Sequence, residues 1–385
     1  MGSPEQFEAA GTVGVEEEFL LVDTTSGVPV PHAPAVIDRV HALAPGSPTT
    51  IKPELMATQV EAATGVCGTL PGLAEQVRIG RRLLGSAAGG ERAWLVAVGA
   101  PVLAGSSPPL STGPRFERII ATYRDVVADY QTCGCHVHVG VPDRALAIEV
   151  VNHLRPWLPT LLALSANSPF RAGRDTGYAS WRMVEQSRFP GSGVPPRFRS
   201  IEDYDAKLAR LVDCGSLVDT RMSFWLARPS EVFATVEVRA ADAAATAEEA
   251  VLQAALVRAL VRTALAKIEA GVDPPGVGDQ VAAAALWSAA RHGLHGPAVD
   301  PWAERQVPAV NLVERLLRDV AAALEDTGDL RFVRTTVDQL LRSGTGACRQ
   351  RWAARNGPLA LIRLLAGWTS AEQLDQEPDR RQEAR

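Results

Sequence analysis

Lysine is nearly absent from this chain. Only Lys52, Lys207 and Lys267 occur among its 39 basic residues. With a net charge of −5, it lacks the basic surplus that a nucleic-acid or anionic-membrane partner would require. The arginine bias, alongside abundant alanine, carries no functional weight by itself. No apolar run reaches the roughly 20 residues of a membrane span. The N-terminus has no basic segment followed by an apolar stretch, so a signal peptide is not expected either. The five cysteines, Cys67, Cys133, Cys135, Cys214 and Cys348, are few, odd in number and scattered. That usage fits reduced thiols in a cytoplasmic protein better than a disulfide framework. Common catalytic signatures are missing as well. There is no Gly-x-x-x-x-Gly-Lys-Ser/Thr loop for phosphates, no Gly-x-Ser-x-Gly elbow, no His-Glu-x-x-His helix, and no Gly-x-Gly-x-x-Gly between a strand and a helix.

What is present is a globular composition, 46% hydrophobic and 22% charged over 385 residues, with no repeat or low-complexity tract. That length supports one large core or two. Three distant strand-like segments hold paired polar residues: Gly14-Val15-Glu16-Glu17-Glu18-Phe19, Cys135-His136-Val137-His138-Val139 and Val236-Glu237-Val238-Arg239. Residues i and i+2 of a strand share a face. Glu16 with Glu18, His136 with His138, and Glu237 with Arg239 therefore project in pairs. The intervening residues are mostly Val and suit burial on the reverse side. Glu54, Gln59 and Glu61 add to this set, with Gln59 and Glu61 on one strand face. Taken singly, each pair is compatible with a solvated sheet face. The apolar run Phe19-Leu20-Leu21-Val22 makes the first strand central, however, and buried carboxylates need cations or donors. Carboxylates and imidazoles converging on one face point to a divalent-metal site, and Arg239 points to an anion beside it.

The remaining pattern places a strand over 11–23 and a loop with a short helix over 24–50. A strand is expected within 51–67, a helix from about Leu73 to Leu84, and a buried strand over 94–100. One amphipathic helix should run over 114–131, with Phe116, Ile119, Ile120, Tyr123, Val127 and Tyr130 on its inner face. A helix follows from about Arg144 to Asn152. Residues 166–200 read as a long irregular segment rich in Arg171, Arg174, Arg182 and Arg188 with Tyr178 and Trp181, and such segments are usually functional. Residues 201–213 read as helix and 222–240 as one or two strands. A Thr246–Glu249 capping box opens a helix ending near Ala270, before Gly271. The rest reads as helical without strand signal. A Cys-x-Cys-His-x-His zinc site is a weaker reading, because on one strand Cys133 and Cys135 face away from His136 and His138.

The order Gly-x-Glu-x-Glu-Phe, Gln-x-Glu, His-x-His and Glu-x-Arg-x-x-Asp resembles the active-site strands of the glutamine synthetase-like superfamily. More closely, the chain resembles the carboxylate–amine ligases of glutamate–cysteine ligase type 2. The matching stretches are Thr12–Asp23, Pro53–Cys67, Gly134–Asp143, Asn167–Arg182 and Val236–Asp242. They cover roughly residues 11–300, while the C-terminal helical part is less similar.

The resemblance implies an α+β, glutamine synthetase-like fold: an antiparallel or mixed sheet forming an open active-site bowl, helices packed on its outer face, and a helical C-terminal region. It implies a single catalytic domain over 1–385, of which 246–385 is mostly helical. Glu16, Glu18, Glu54, Glu61, His136 and Glu237 match metal positions, and His138 matches the motif as a further possible ligand. Arg239, Glu61 and Glu237 would be catalytic. Arg174, Tyr178, Arg182, Arg188 and Arg239 would bind substrate and phosphate. Glu17, acidic where an apolar residue would pack, has no account at this level.

The implied reaction uses ATP with Mg²⁺ (or Mn²⁺) to activate an amino-acid carboxylate as an acyl phosphate for attack by an amine. The default pair is glutamate and cysteine, in a cytoplasmic homodimer. The alternatives are a ligase using another amine in a specialised pathway, a metal-dependent hydrolase built on His136 and His138, and a non-catalytic binding protein on the same fold.

Overall fold

Alternating Val and Glu residues begin the central strand, β1 (Val13–Asp23), of a sheet whose other strands are β2 (Thr50–Pro53), β3 (Gln59–Ala63), β4 (Ala93–Val96), β5 (Gly134–Gly140), β6 (Ala227–Pro229) and β7 (Thr235–Asp242). The computed structural model describes residues 11–105, 109–111 and 113–370. The termini of the expected 1–385 domain, and the end of its 246–385 helical portion, lie outside these residues. The spatial order is β6-β7-β5-β1-β3-β2, with every pairing antiparallel. Leu20 pairs with both Gln59 and Val96, so β4 joins the far half of β1 on the side opposite β3.

The period-2 pattern divides the sheet into two faces. Val13, Val15, Cys135, Val137, Val139, Val236 and Val238 are buried in one core with the inner residues of the helices Leu70–Gly90 and Ala247–Glu269. Burying each such side chain stabilises by roughly 1.5–3 kcal/mol. Gly80 allows the first of these helices to come close, because a Cβ there would meet Ala62 Cβ at 3.3 Å and Thr49 Cγ2 at 3.1 Å.

The opposite face carries the polar pairs over its near half. Over its far half, Leu20, Val22, Val96 and Val98 pack with Leu361, Ile362 and Leu365 of the helix Pro358–Thr369. Helices therefore cover the outer face and also close one end of the bowl.

Several local expectations need correction. The 51–67 segment is two strands, β2 and β3, separated by a loop that carries Glu54. The 114–131 helix breaks at Arg124, whose φ of 50° leaves helical space, into Pro114–Tyr123 and Asp125–Ala128. The 73–84 helix extends over Leu70–Gly90, because Thr69 caps its start by accepting from Gly72 N and the glycines at its end are tolerated. The C-terminal part holds a hairpin, Pro297–Asp300 with Arg305–Pro308. Only half of the capping box forms. Thr246 accepts from Glu249 N at 3.3 Å, but the Glu249 carboxylate turns to Arg349. The 166–200 segment holds a two-residue-arm hairpin at 170–175 and the helix Trp181–Gln186. Among the described residues no helix is long and apolar enough to cross a membrane.

Candidate active site

Strand register alone arranges most of the site. Across β1, β5, β7 and β6 runs a row of Gly14, His138, Glu237 and Arg228. Two residues along, His136 faces Glu16, which also faces Ala63. Two further, Glu18, Glu61 and Lys52 form a third row over β1, β3 and β2. The acidic and imidazole groups thus step diagonally across one face. A one-residue slip in β5 would exchange both histidines for valines and Cys135.

Two sets of three ligand atoms come within 4.8 Å of one another: Glu16, His138 and Glu237 in one, and Glu18, Glu54 and Glu61 in the other. Between them lies His136. Its Nδ1 is 3.2 Å from Arg239 Nη1, and its Nε2 is 3.7 Å from Glu18 Oε1. His138 is oriented by Thr235, whose Oγ1 is 3.0 Å from Nδ1. That leaves Nε2 3.6 Å from Glu16 Oε2. The Nε2 atoms of both histidines are buried and have no hydrogen-bond partner among the described residues.

Arginines frame the acidic set. Glu237 is gripped on both oxygens, Oε2 by Arg228 Nε at 2.8 Å and Oε1 by Arg239 Nη1. Arg228 is itself fixed by the carbonyls of Arg221 and Ser223. The register between β7 and β5 shifts between Val238 and Ala241. The extra residue lies opposite His136, and Arg239 lies beside His136 as well as Glu237. Arg182 is buried and donates to the Arg239 carbonyl at 3.1 Å, with Asp242 Oδ1 3.8 Å away. Gly134 makes room here. A Cβ on it would lie 2.5 Å from Arg182 Nη2 and 2.8 Å from His136 Nε2, and its N–H donates to Glu18 Oε2 at 2.6 Å.

The charges split the carboxylates into two behaviours. Burial opposes ionisation of Glu16, but the flanking His136 and His138 outweigh it and hold the carboxyl well below the usual range. Burial likewise opposes ionisation of Glu237 and is outweighed by Arg239 and Arg228. Glu54 and Glu61 are pushed up, by burial first. Glu18 and Glu61 then act on Glu54, and Glu16 on Glu61, where Lys52 only partly compensates. Burial first, then Arg239, pulls His136 down, which favours the neutral ring.

Other predicted residues sit apart. Arg174 is exposed on the 170–175 hairpin. Tyr178 packs edge-on to Trp181, lies under Arg291, and accepts from Trp287 Nε1 at 3.3 Å. Arg188 is committed to Glu185 and, at 3.0 Å, to Asp129. The zinc reading fails. Cys135 is buried in the helix-side core, and Cys133 sits 3.2 Å from Gln59 Nε2, which also donates to Thr132 O. Sequence reasoning missed Lys52, Arg228 and the partner of Glu17. That partner is Arg81, fully buried on the reverse face, with contacts of 2.6 and 3.1 Å to the two Glu17 oxygens. A basic residue opposite each acidic one in the strand register was the available signal for the first two.

Comparison with known proteins follows the same direction. A family model described as glutamate–cysteine ligase family 2 (GCS2) matches residues 12–376. A protein of Saccharopolyspora erythraea that carries an inferred assignment as glutamate–cysteine ligase 2-2 is 56% identical over 366 residues, 94% of each chain. One of Nocardia farcinica with the corresponding 2-1 assignment is 44% identical over 341 residues, 89% of this chain and 88% of that one. Among solved structures, glutamate–cysteine ligase of Francisella tularensis in complex with AMP aligns at a TM-score of 0.69 and 14% identity. The alignment covers 94% of this chain and 89% of that one. A bifunctional glutathione synthetase from Pasteurella multocida aligns at 0.70 and 16%, covering 95% of this chain and 53% of that one. At these identities the two structures establish the fold.

Proposed function

The chain belongs to glutamate–cysteine ligase family 2, and from that premise we propose that it is an ATP- and Mg²⁺-dependent carboxylate–amine ligase. Its default substrates are glutamate, activated at a carboxylate, and cysteine as the amine. The observation that carries this reading is the pair of three-ligand sets over one sheet face, completed by Glu54 from the β2–β3 loop, with Arg239 held by Glu237 and acted on by Glu18 and Glu16. The donors fit such ions. Five carboxylates and one imidazole with a buried, unpartnered Nε2 make an oxygen-rich set that suits Mg²⁺ or Mn²⁺ better than Zn²⁺. Glu16, His138 and Glu237 would hold one ion, and Glu18, Glu54 and Glu61 another. His136 stands between them as a further donor. When bound, the ions supply neutralisation of phosphate oxygens.

A carboxylate is a poor electrophile. Passing the γ-phosphoryl group of ATP to it gives an acyl phosphate, which an amine attacks to form the amide and release phosphate. Such transfer depends on positioning and charge stabilisation. Arg239 is a permanent cation fixed against Glu237, and it offers donors to the equatorial phosphoryl oxygens. Arg182, buried behind it, holds the Arg239 carbonyl and so the strand end from which that guanidinium projects. Arg174, Tyr178 and Arg188 lie on the segment that the family resemblance associates with substrate. Arg188 would have to release Asp129 or Glu185 to reach one.

ADP release tests the proposal. With Mg²⁺ and glutamate the wild type should form ADP, with amide product appearing when cysteine is added. Glu16→Gln should lose on the order of 10²–10³ in rate. Turnover of an ester or amide without nucleotide would instead favour a hydrolase. A panel of amines in the same assay identifies the acceptor.

A further inference from the structure

Lys52 is an anomaly of composition placed at an informative point. The chain uses arginine for almost every cation, and the other two lysines make ordinary pairs, Lys207 with Asp203 and Lys267 with Asp319. Lys52 stands directly across from Glu61 in the β2–β3 register. Its Nζ is 3.0 Å from Glu61 Oε1 and 3.6 Å from Glu16 Oε1. Those two carboxylates belong to different three-ligand sets, so one ammonium bridges both. β2 ends the sheet order, and the Lys52 side chain keeps 45% of its surface exposed. It can therefore swing into solvent without unpacking anything. An arginine here would present a planar fork of five donors that grips a carboxylate at two points. An ammonium is a compact charge on a flexible stem, and so the easier cation to displace.

We propose that Lys52 is a tethered counter-cation for the carboxylate array. Its ammonium neutralises Glu61 and Glu16 between turnovers and competes with free divalent ions for those oxygens. It yields when an ion arrives already bound to a nucleotide's phosphates. This rests on the metal reading of the site. It adds a role for a residue outside the ligand set: Lys52 weakens binding of the free ion while stabilising the metal-free protein. Mg²⁺ is commonly held by one or two carboxylates plus substrate phosphates rather than by an all-protein cage, and a built-in competitor favours that mode. A simple structural cross-strand pair predicts the opposite sign, because losing it would loosen Glu61 and weaken metal binding or leave it unchanged.

Titration of the nucleotide-free protein with Mn²⁺, read by electron paramagnetic resonance, separates the two. Lys52→Met and Lys52→Gln, both confirmed as folded by circular dichroism, should bind Mn²⁺ about fivefold or more tightly than wild type, as expected for removing a unit charge a few ångströms from the ion. Lys52→Arg, which keeps the charge but grips the carboxylate at two points, should bind Mn²⁺ more weakly than wild type. In thermal unfolding, the two neutral variants should melt lower than wild type without metal and gain more from added Mn²⁺. Equal or weaker Mn²⁺ binding by both neutral variants would overturn the inference while leaving the metal site standing. Absence of saturable Mn²⁺ binding in wild type, or no loss of it in Glu18→Gln, would overturn the metal reading itself and this inference with it.

Discussion

Glu17 shows what a residue-by-residue reading of the sequence can and cannot reach. The alternation along β1 correctly separates Glu16 and Glu18 from Glu17, but nothing local explains an acid on the buried side. The explanation is Arg81, 64 positions away on a helix, which also donates to the Ala244 carbonyl at 2.8 Å. Burial opposes the charge on Arg81, and Glu17 more than restores it. Breaking such a pair leaves a lone buried charge and costs about 3–5 kcal/mol, whereas replacing both partners with apolar groups is often nearly neutral. Arg81→Met should therefore lower the melting temperature far more than the double variant Glu17→Leu/Arg81→Met. A double variant no better than the single would show that the pair is not the source of the loss.

A pH prediction also belongs at this scale. Glu54 and Glu61 have raised pKa values in the fold, so below those values they hold protons that a metal must displace. Mn²⁺ affinity should tighten as pH rises through those folded pKa values. For the metal-free protein the sign is reversed. These two groups bind more protons folded than unfolded, so they cost stability as pH climbs from the unfolded carboxylate range through their folded pKa values. His136, whose pKa is lowered, opposes this only below about pH 6.5, where the unfolded ring charges. A melting temperature that falls as pH rises through the folded pKa values of Glu54 and Glu61 without metal, and stays level with Mg²⁺, is the expected pair of curves.

Single elements were legible where one periodicity ran undisturbed. β1, β5 and β7 follow from alternation, and the helix Ala247–Glu269 from its Thr246 cap. Elements failed to be legible where one backbone angle decided them. Arg124 at φ 50° divides an otherwise continuous amphipathic pattern. The shift between Val238 and Ala241 adds a residue to β7 that no composition announces. That bulge lies in the corner where Arg239 meets His136 and Gly134 meets Arg182. Adding one methyl there tests the corner. Gly134→Ala would force its Cβ against Arg182 Nη2 and His136 Nε2. Overpacking of this kind typically costs about 1–3 kcal/mol. The variant should fold with a reduced melting temperature, and its Mn²⁺ affinity and ligase rate should both drop, because the displaced groups border both ligand sets. Wild-type metal affinity in Gly134→Ala would mean that the corner yields freely and does not hold the site's geometry.

At the scale of the molecule, the antiparallel bowl was legible through the family resemblance that its spaced polar pairs carry. The path by which the C-terminal helices support it was not, because that path is made of single buried polar contacts between distant segments. Gln350, in the helix Gly346–Ala353, donates to both the backbone and side-chain oxygens of Asn167, at 2.9 and 2.7 Å. Asn167 in turn donates from its backbone to Asp242 at 2.9 Å and from its amide to the Ala97 and Ala243 carbonyls. Asp242, fully buried, also accepts from Ser168 and Ser180 and lies 3.8 Å from Arg182. Burial pushes the Asp242 carboxyl up despite Arg182, so each donor it retains counts toward keeping the charge that orients that guanidinium. Gln350→Leu keeps similar bulk and removes the first link, leaving the Asn167 Oδ1 unmatched at roughly 1–3 kcal/mol, while the Asn167 carbonyl keeps the Gly99 N–H at 3.1 Å. If the network is purely structural, only the melting temperature falls. If it also positions Arg182 beneath Arg239, the variant should in addition show a raised KM for ATP with a smaller change in kcat. Melting and steady-state kinetics on the same preparation, with Leu312→Ala in a separate apolar cluster as a destabilised control, distinguish the two.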